Sequence, residues 1–81
     1  MTAVITHTIV KYQYEYTDDE TDQWVTKYCA AAVEGEVQPG VVIQQITESL
    51  TAERGISEDR MSAFVVEYRM DDGSLVRAWT Q

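Results

Sequence analysis

The sequence predicts a single α+β domain over residues 1–81, in which one amphipathic helix lies on a four-stranded sheet in the order ββαββ. Three observations predict it. From Val4 to Tyr16 β-branched and aromatic residues dominate and no helix signal appears, as in a long strand. The stretch "QPGVVIQQITESLTAERGIS" has helical periodicity and a signal at each end. Near the carboxyl end, Asp72-Gly73 separates two further strand-like runs.

Taken in order, the first strand ends at Tyr16 and Thr17 to Gln23 forms a loop. A second strand resumes at Trp24 and runs through Tyr28 to about Val33. Its "CAAAVEGE" segment is ambiguous, since alanines favour helix, but Gly35 and the preceding Trp-Val-Thr favour strand. Pairing Tyr16 with Trp24 sets Tyr14 opposite Thr26, Tyr12 opposite Tyr28 and Val10 opposite Ala30. Cross-strand aromatic pairs contribute roughly 0.2–1 kcal/mol each.

In the helix, Pro39 suits the first turn, and Gly55 stands where a left-handed C-terminal cap is wanted, with Ile56 closing a contact beyond it. Val42, Ile43, Ile46 and Leu50 share one arc, while Gln44, Gln45, Glu48 and Thr51 take the other side. The last hairpin joins "MSAFVVEYRM" to "LVRAWT" through "DDGS". A two-residue type I′ turn there pairs Met70 with Leu75, Tyr68 with Arg77 and Val66 with Trp79. Phe64, Val66, Met70, Leu75 and Trp79 then share the face under the helix.

A right-handed crossover can bring the first and last strands together in parallel at the sheet centre. In that element order the chain is similar to β-grasp domains, a resemblance of topology alone. It departs from the ubiquitin-like modifiers, because it ends "RAWTQ" without a terminal Gly-Gly, so conjugation is not implied.

Eighty-one residues suffice for one domain and bury only about 60–65% of the unfolded surface. No apolar run approaches the ~18 residues of a membrane span. "MTAVITHTIVKYQ" lacks the basic region and small-residue cleavage site of a signal peptide, so a cytoplasmic location is expected. A single cysteine, Cys29, agrees with a reducing compartment.

Charge is the strongest global signal: fourteen acidic residues against six basic give −8. Such a surface repels nucleic acid and anionic lipid, so the expected partner is a basic or neutral protein. The same composition also fits acidity that serves solubility or salt adaptation.

Within "YQYEYTDDETDQW" the paired register puts Tyr12, Tyr14, Tyr16, Trp24 and Tyr28 on one face of the first hairpin. The opposite face changes midway, from Ile5, Ile9, Cys29, Ala31 and Val33 to Lys11, Gln13, Glu15 and Lys27. Two arrangements account for this switch. A bulge within Ala30 to Ala32 re-aims the strand so that every apolar side chain lines one core. Alternatively, the helix covers the base of the hairpin and the tyrosine face is a binding surface.

Chemistry of bond-making is scarce. "DDETD" approximates a calcium loop, but Gln23 stands where the loop needs Gly, and Cys29 where it needs Glu. One His and one Cys cannot make a usual zinc site. His7 and Cys29 fall on one face about four residues apart, roughly 13 Å, too far for a dyad. No phosphate loop, dinucleotide fingerprint or Gly-x-Ser-x-Gly elbow occurs, so neither enzyme activity nor a cofactor is expected.

In the β-grasp order Asp18, Asp19, Glu20, Asp22, Glu58 and Asp59 gather at one end and Glu34, Glu36, Asp71 and Asp72 at the other, with Arg54 and Arg60 partly neutralising the first. The reading that follows is a non-enzymatic interaction module. It docks Tyr12, Tyr14, Tyr16, Asp18, Asp19, Glu20, Asp22 and Trp24 on a basic surface, such as the nucleic-acid channel of a nuclease or polymerase. A phage or mobile-element inhibitor has this character. The alternative is a structural subunit that forms a homodimer through the tyrosine-rich hairpin.

Overall fold

The computed structural model describes residues 3–81. It contains four strands, β1 (Ile5–Thr17), β2 (Trp24–Glu34), β3 (Met61–Met70) and β4 (Leu75–Thr80), and a helix, α1 (Pro39–Arg54), followed by one 3₁₀ turn at Glu58–Arg60. The fold is α+β in the order ββαββ, with all four strands in one sheet.

The strand order is β2-β1-β3-β4 and every pair is antiparallel, which corrects the β-grasp expectation of a parallel central pair. The cause lies in which of the last two strands can be buried on both faces. β3 carries the run Phe64-Val65-Val66 and holds Phe64, Val66 and even Glu67 inside, as a central strand does. β4 has only six residues, nearly all exposed, and takes the edge. Because α1 returns the chain to the end where β1 finishes, β3 beside β1 runs antiparallel to it.

The first hairpin is paired without interruption from His7↔Glu34 to Thr17↔Trp24, one residue away from the expected register. Tyr16 faces Val25, Tyr14 faces Lys27, Tyr12 faces Cys29 and Val10 faces Ala31. A slip of one residue exchanges the two faces of a strand. Val25, Cys29, Ala31 and Val33 thereby join Val10, Tyr12, Tyr14 and Tyr16 on the helix side, while Trp24 and Tyr28 turn to the other side. This removes the apolar switch that a bulge in Ala30 to Ala32 would have served, and that bulge is absent. The expected Tyr12–Tyr28 and Tyr16–Trp24 pairs are likewise replaced.

The bulges lie elsewhere. Pairing of β1 with β3 shifts between Lys11 and Gln13, where β3 carries the additional residue Ala63 in the left-handed region at φ +56°. At the last turn, Gly73 N donates to Met70 O at 3.0 Å and Met70 N to Ser74 O at 2.8 Å, with Gly73 at φ +87°. That is a three-residue loop with glycine at the left-handed position, in place of the expected two-residue turn. Arg69 therefore pairs with Leu75 and Tyr68 with Val76, until an extra residue at Ala78 restores Val66↔Trp79. Ala78 packs on the core, whereas Leu75 and Trp79 stay largely exposed, so the face expected under the helix keeps only Phe64 and Val66 fully inside.

Helix α1 starts at Pro39 and stops at Gly55, a left-handed cap at φ +68° whose N–H donates to Thr51 O at 3.1 Å. Ile56 N bonds Leu50 O, and the Ile56 side chain is buried. Val42 and Leu50 are buried, with Ile43 and Ile46 at their flanks, as the periodicity predicts. Opposite them on the sheet lie Val10, Tyr14, Met61, Phe64 and Val66, with Tyr12 stacked on Phe64 at a centroid distance of 5.9 Å. The link into the helix is tied by Thr8: its Oγ1 donates to Gly35 O at 2.7 Å and accepts from Val37 N at 2.9 Å. Tyr68 Oη also donates to Val37 O at 3.0 Å.

Strand and helix lengths do not match. The 13 residues of β1 span about 43 Å at about 3.3 Å each. The 16 residues of α1 span only about 24 Å. The molecule measures 54 × 19 × 19 Å, and the tip of the first hairpin reaches beyond the end of the helix.

Candidate functional site

Pairing of β1 with β3 ends at Tyr14↔Met61, while β1 and β2 stay paired to Thr17↔Trp24. Three further rungs of the hairpin and its loop thus stand without a third strand. The loop is internally braced: Asp18 Oδ1 accepts from Glu20 N at 2.8 Å and from Thr21 N at 3.4 Å, and Asp22 adopts the left-handed region at φ +60°. Asp18 is accordingly half-buried and its carboxylate is occupied by the loop, whereas Asp19, Glu20 and Asp22 are exposed.

The residues expected to form one docking stripe are divided between the two faces. Tyr14 is 2% exposed inside the core, and Tyr12 and Tyr16 pack partly against it, so the aromatic ladder of β1 is interior material. Trp24 (56% exposed) and Tyr28 (77% exposed) stand on the other face of the hairpin. Tyr28, expected on the face of the β1 tyrosines, is separated from them by the register, which pairs it with Gln13.

The Arg60 guanidinium lies over the Trp24 ring, 4.1 Å from its centroid. Where α1 stops short of the hairpin tip, a cleft of about 400 Å³ opens, lined by Tyr14, Tyr16, Thr17, Asp19, Lys27, Arg54, Gly55, Ile56 and Arg60. Spacing along the chain carries no sign of this grouping, because Lys27 comes from β2, Arg54 from the helix end and Arg60 from the 3₁₀ turn. The outer side of the helix C-terminus carries a shallow acidic groove with Glu48, Glu58 and Asp59 beside Thr47, Thr51 and Ser57. The Ser57 hydroxyl bonds Asp59 and holds its carboxyl below the usual range, with Arg60 a lesser contributor.

At the far end, Glu34 closes β2 and Glu36 follows it, and Asp71 and Asp72 occupy the last turn. Hydrogen bonds from the Ser74 hydroxyl and N–H, at 2.6 and 2.9 Å, keep the Asp72 carboxyl below its ordinary value. The antiparallel sheet therefore keeps the two acidic ends expected from the β-grasp order, because hairpin loops and helix termini fall at the same ends in both.

Among the described residues the only ion pair joins Lys11 Nζ to Glu67 Oε1 at 2.8 Å. Glu67 is 8% exposed on the helix-free face, and its Oε1 accepts no hydrogen bond of good angle, so the ion pair is its one compensation. His7 lies on that helix-free face, and Cys29 on the helix side, which corrects their expected shared face and separates them further. Among the described residues no three His, Cys, Asp or Glu side chains gather as metal ligands would, and no helix is long and apolar enough to cross a membrane.

Compared with known proteins, the chain matches no family model, no curated protein and no solved structure.

Proposed function

We propose that the protein is a non-enzymatic interaction module that docks its acidic hairpin tip on a basic surface of another protein. The observation that carries this reading is the unsupported end of the β1–β2 hairpin. There Asp19, Glu20 and Asp22 are exposed beside the exposed aromatic rings of Trp24 and Tyr28. Exposed carboxylates steer encounter with a cationic partner, and the two rings supply the desolvated anchor that charge alone lacks. A nucleic-acid-binding channel, as in a nuclease or polymerase, offers the basic counterpart, and inhibition by charge mimicry is the activity such docking would produce. Compared with the stripe read from sequence, the contact set keeps Asp19, Glu20, Asp22 and Trp24, adds Tyr28, and loses Tyr12, Tyr14, Tyr16 and Asp18 to the interior and the loop. Loss of Tyr14 also weakens the homodimer reading, whose aromatic face was the same stripe.

The test begins with affinity capture from the cells that make the protein. Association of the captured basic protein is then followed by surface plasmon resonance between 0.1 and 0.5 M salt, where the screening length falls from about 10 Å to a few ångströms. The expected result is an association rate at least about tenfold lower at the higher salt, competition by duplex DNA, and further loss in an Asp19→Lys, Glu20→Lys, Asp22→Lys triple variant. A rate indifferent both to salt and to charge reversal would overturn the reading.

A further inference from the structure

We propose that the cleft between the hairpin tip and the end of α1 is a binding site for a small phosphate-bearing anion. The inference rests on where this chain places its few cations. It has six basic residues against fourteen acidic, yet Lys27, Arg54 and Arg60 line one cleft with Asp19 as the only carboxylate in its wall. Among the described residues none of the three forms an ion pair, although carboxylates crowd the neighbouring loop and groove. In a chain of net charge −8, three unpaired cations facing one space constitute a local field opposite to that of the whole surface.

Chain geometry accounts for the grouping. Lys27 pairs with Tyr14 and so faces the helix side, but α1 ends before it can cover that rung. Arg54 closes the helix, and the turn after Gly55 brings Arg60 back beneath Trp24. Contact with the indole holds the Arg60 guanidinium near the cleft, and among the described residues its N–H donors form no hydrogen bond, so they stay free for an oxyanion. The helix C-terminus beside the cleft carries partial negative charge, which Arg54 offsets, so at least one of the three cations has a structural share and the remaining two exceed it.

Size and surroundings define the ligand class. About 400 Å³ falls within the range of small-molecule sites. Tyr16, Thr17 and Ile56 offer ring, hydroxyl and apolar contacts for an organic portion beyond the phosphate. The exposed carboxylates of the neighbouring loop, Glu20 and Asp22, and of the groove on the outer side of the helix end, Glu58 and Asp59, repel an extended polyanion, so a phosphomonoester or diphosphate fits and a nucleic-acid chain does not.

Trp24 is a built-in reporter once the second tryptophan is removed by Trp79→Phe. That protein is titrated with inorganic pyrophosphate, and separately with ribose 5-phosphate, at ionic strength held constant with sodium chloride. Trp24 fluorescence is expected to change saturably as an anion bound to Arg60 neutralises the cation lying over the ring. Calorimetric titration of Arg54→Gln, Arg60→Gln and Lys27→Gln in the same background is expected to give at least tenfold weaker binding for each, and Asp19→Asn tighter binding. Should Arg54→Gln destabilise the helix end, Lys27→Gln on the edge strand still decides the matter. Tighter binding of ribose 5-phosphate than of pyrophosphate assigns the organic contacts, and the reverse assigns a diphosphate site. No saturable response beyond that of chloride, or unchanged affinity in the Lys27 and Arg60 variants, overturns the proposal.

Discussion

Thr8 is a fully buried polar residue whose hydroxyl serves two backbone groups at once, Gly35 O and Val37 N, on the segment that delivers the chain to α1. Thr8→Val preserves the shape and strands both partners. Leaving buried groups unsatisfied costs about 1–3 kcal/mol, so urea unfolding of Thr8→Val is expected to show a loss of about 2 kcal/mol with an unchanged m-value. A loss near zero would mean that water replaces the hydroxyl. Tyr12 illustrates a different cost. Burial raises its phenol above the ordinary value of 10.0, and the nearby Cys29 adds to the rise. A group whose folded value is raised favours the folded state below its unfolded pKa, and that contribution is lost as pH climbs through the folded value. Stability should therefore fall above pH ~10, and Tyr12→Phe, which has no phenol to ionise, is expected to lose less of its stability between about pH 9 and 11. Parallel declines for the two proteins in denaturant titrations would exclude Tyr12 as the source.

Among the elements, α1 was the most legible, because proline, a left-handed glycine and a 3.6-residue apolar period act within one short segment and need no partner strand. Hairpin existence was also local, but register was not. Matching Tyr16 to Trp24 optimises aromatic pairing, whereas the fold places Val25, Cys29, Ala31 and Val33 against the core and leaves Trp24 and Tyr28 outside. Burial of a whole face outweighs two or three cross-strand pairs at roughly 0.2–1 kcal/mol each, and the sequence already hinted at this through the midway switch of the apolar side. The basic cleft was illegible for a related reason. In the sequence Arg54 and Arg60 only offset the acidic pole as a whole, and the shortness of α1 relative to the hairpin is what brings Lys27 to them. Register can be tested in thermodynamic terms. Tyr28→Ser is expected to alter stability by less than about 0.5 kcal/mol, as for a surface position. Cys29→Asp, which turns a charge toward the core, is expected to cost about 2 kcal/mol or more. A reversed order of these two losses would restore the aromatic-paired register.

The whole molecule is an elongated body 54 Å long with carboxylates concentrated at its ends. At about 0.1 M salt the screening length is only about 10 Å, so the two ends do not sense each other and the repulsion that matters lies within each end. Attractive pairs that salt would weaken are few: Lys11–Glu67 is the only ion pair among the described residues, and Glu67 is shielded from solvent. Added salt should therefore stabilise this protein, against the trend for a surface held by salt bridges. Between about 0.05 and 0.5 M sodium chloride the unfolding free energy is expected to rise by about 1 kcal/mol through screening of like charges. Replacing Glu20 and Asp22 with Gln and Asn removes repulsion at the hairpin tip without touching Asp19, which borders Lys27, Arg54 and Arg60, and leaves Glu34, Glu36, Asp71 and Asp72 in place. The variant should therefore be more stable at low salt and gain less from added salt, with the two proteins converging near 0.5 M, as thermal unfolding across a salt series would reveal. A protein that loses stability as salt increases would instead have charges arranged chiefly for attraction, and the carboxylates at the hairpin tip could not then be regarded as a repulsive cluster that a cationic partner relieves.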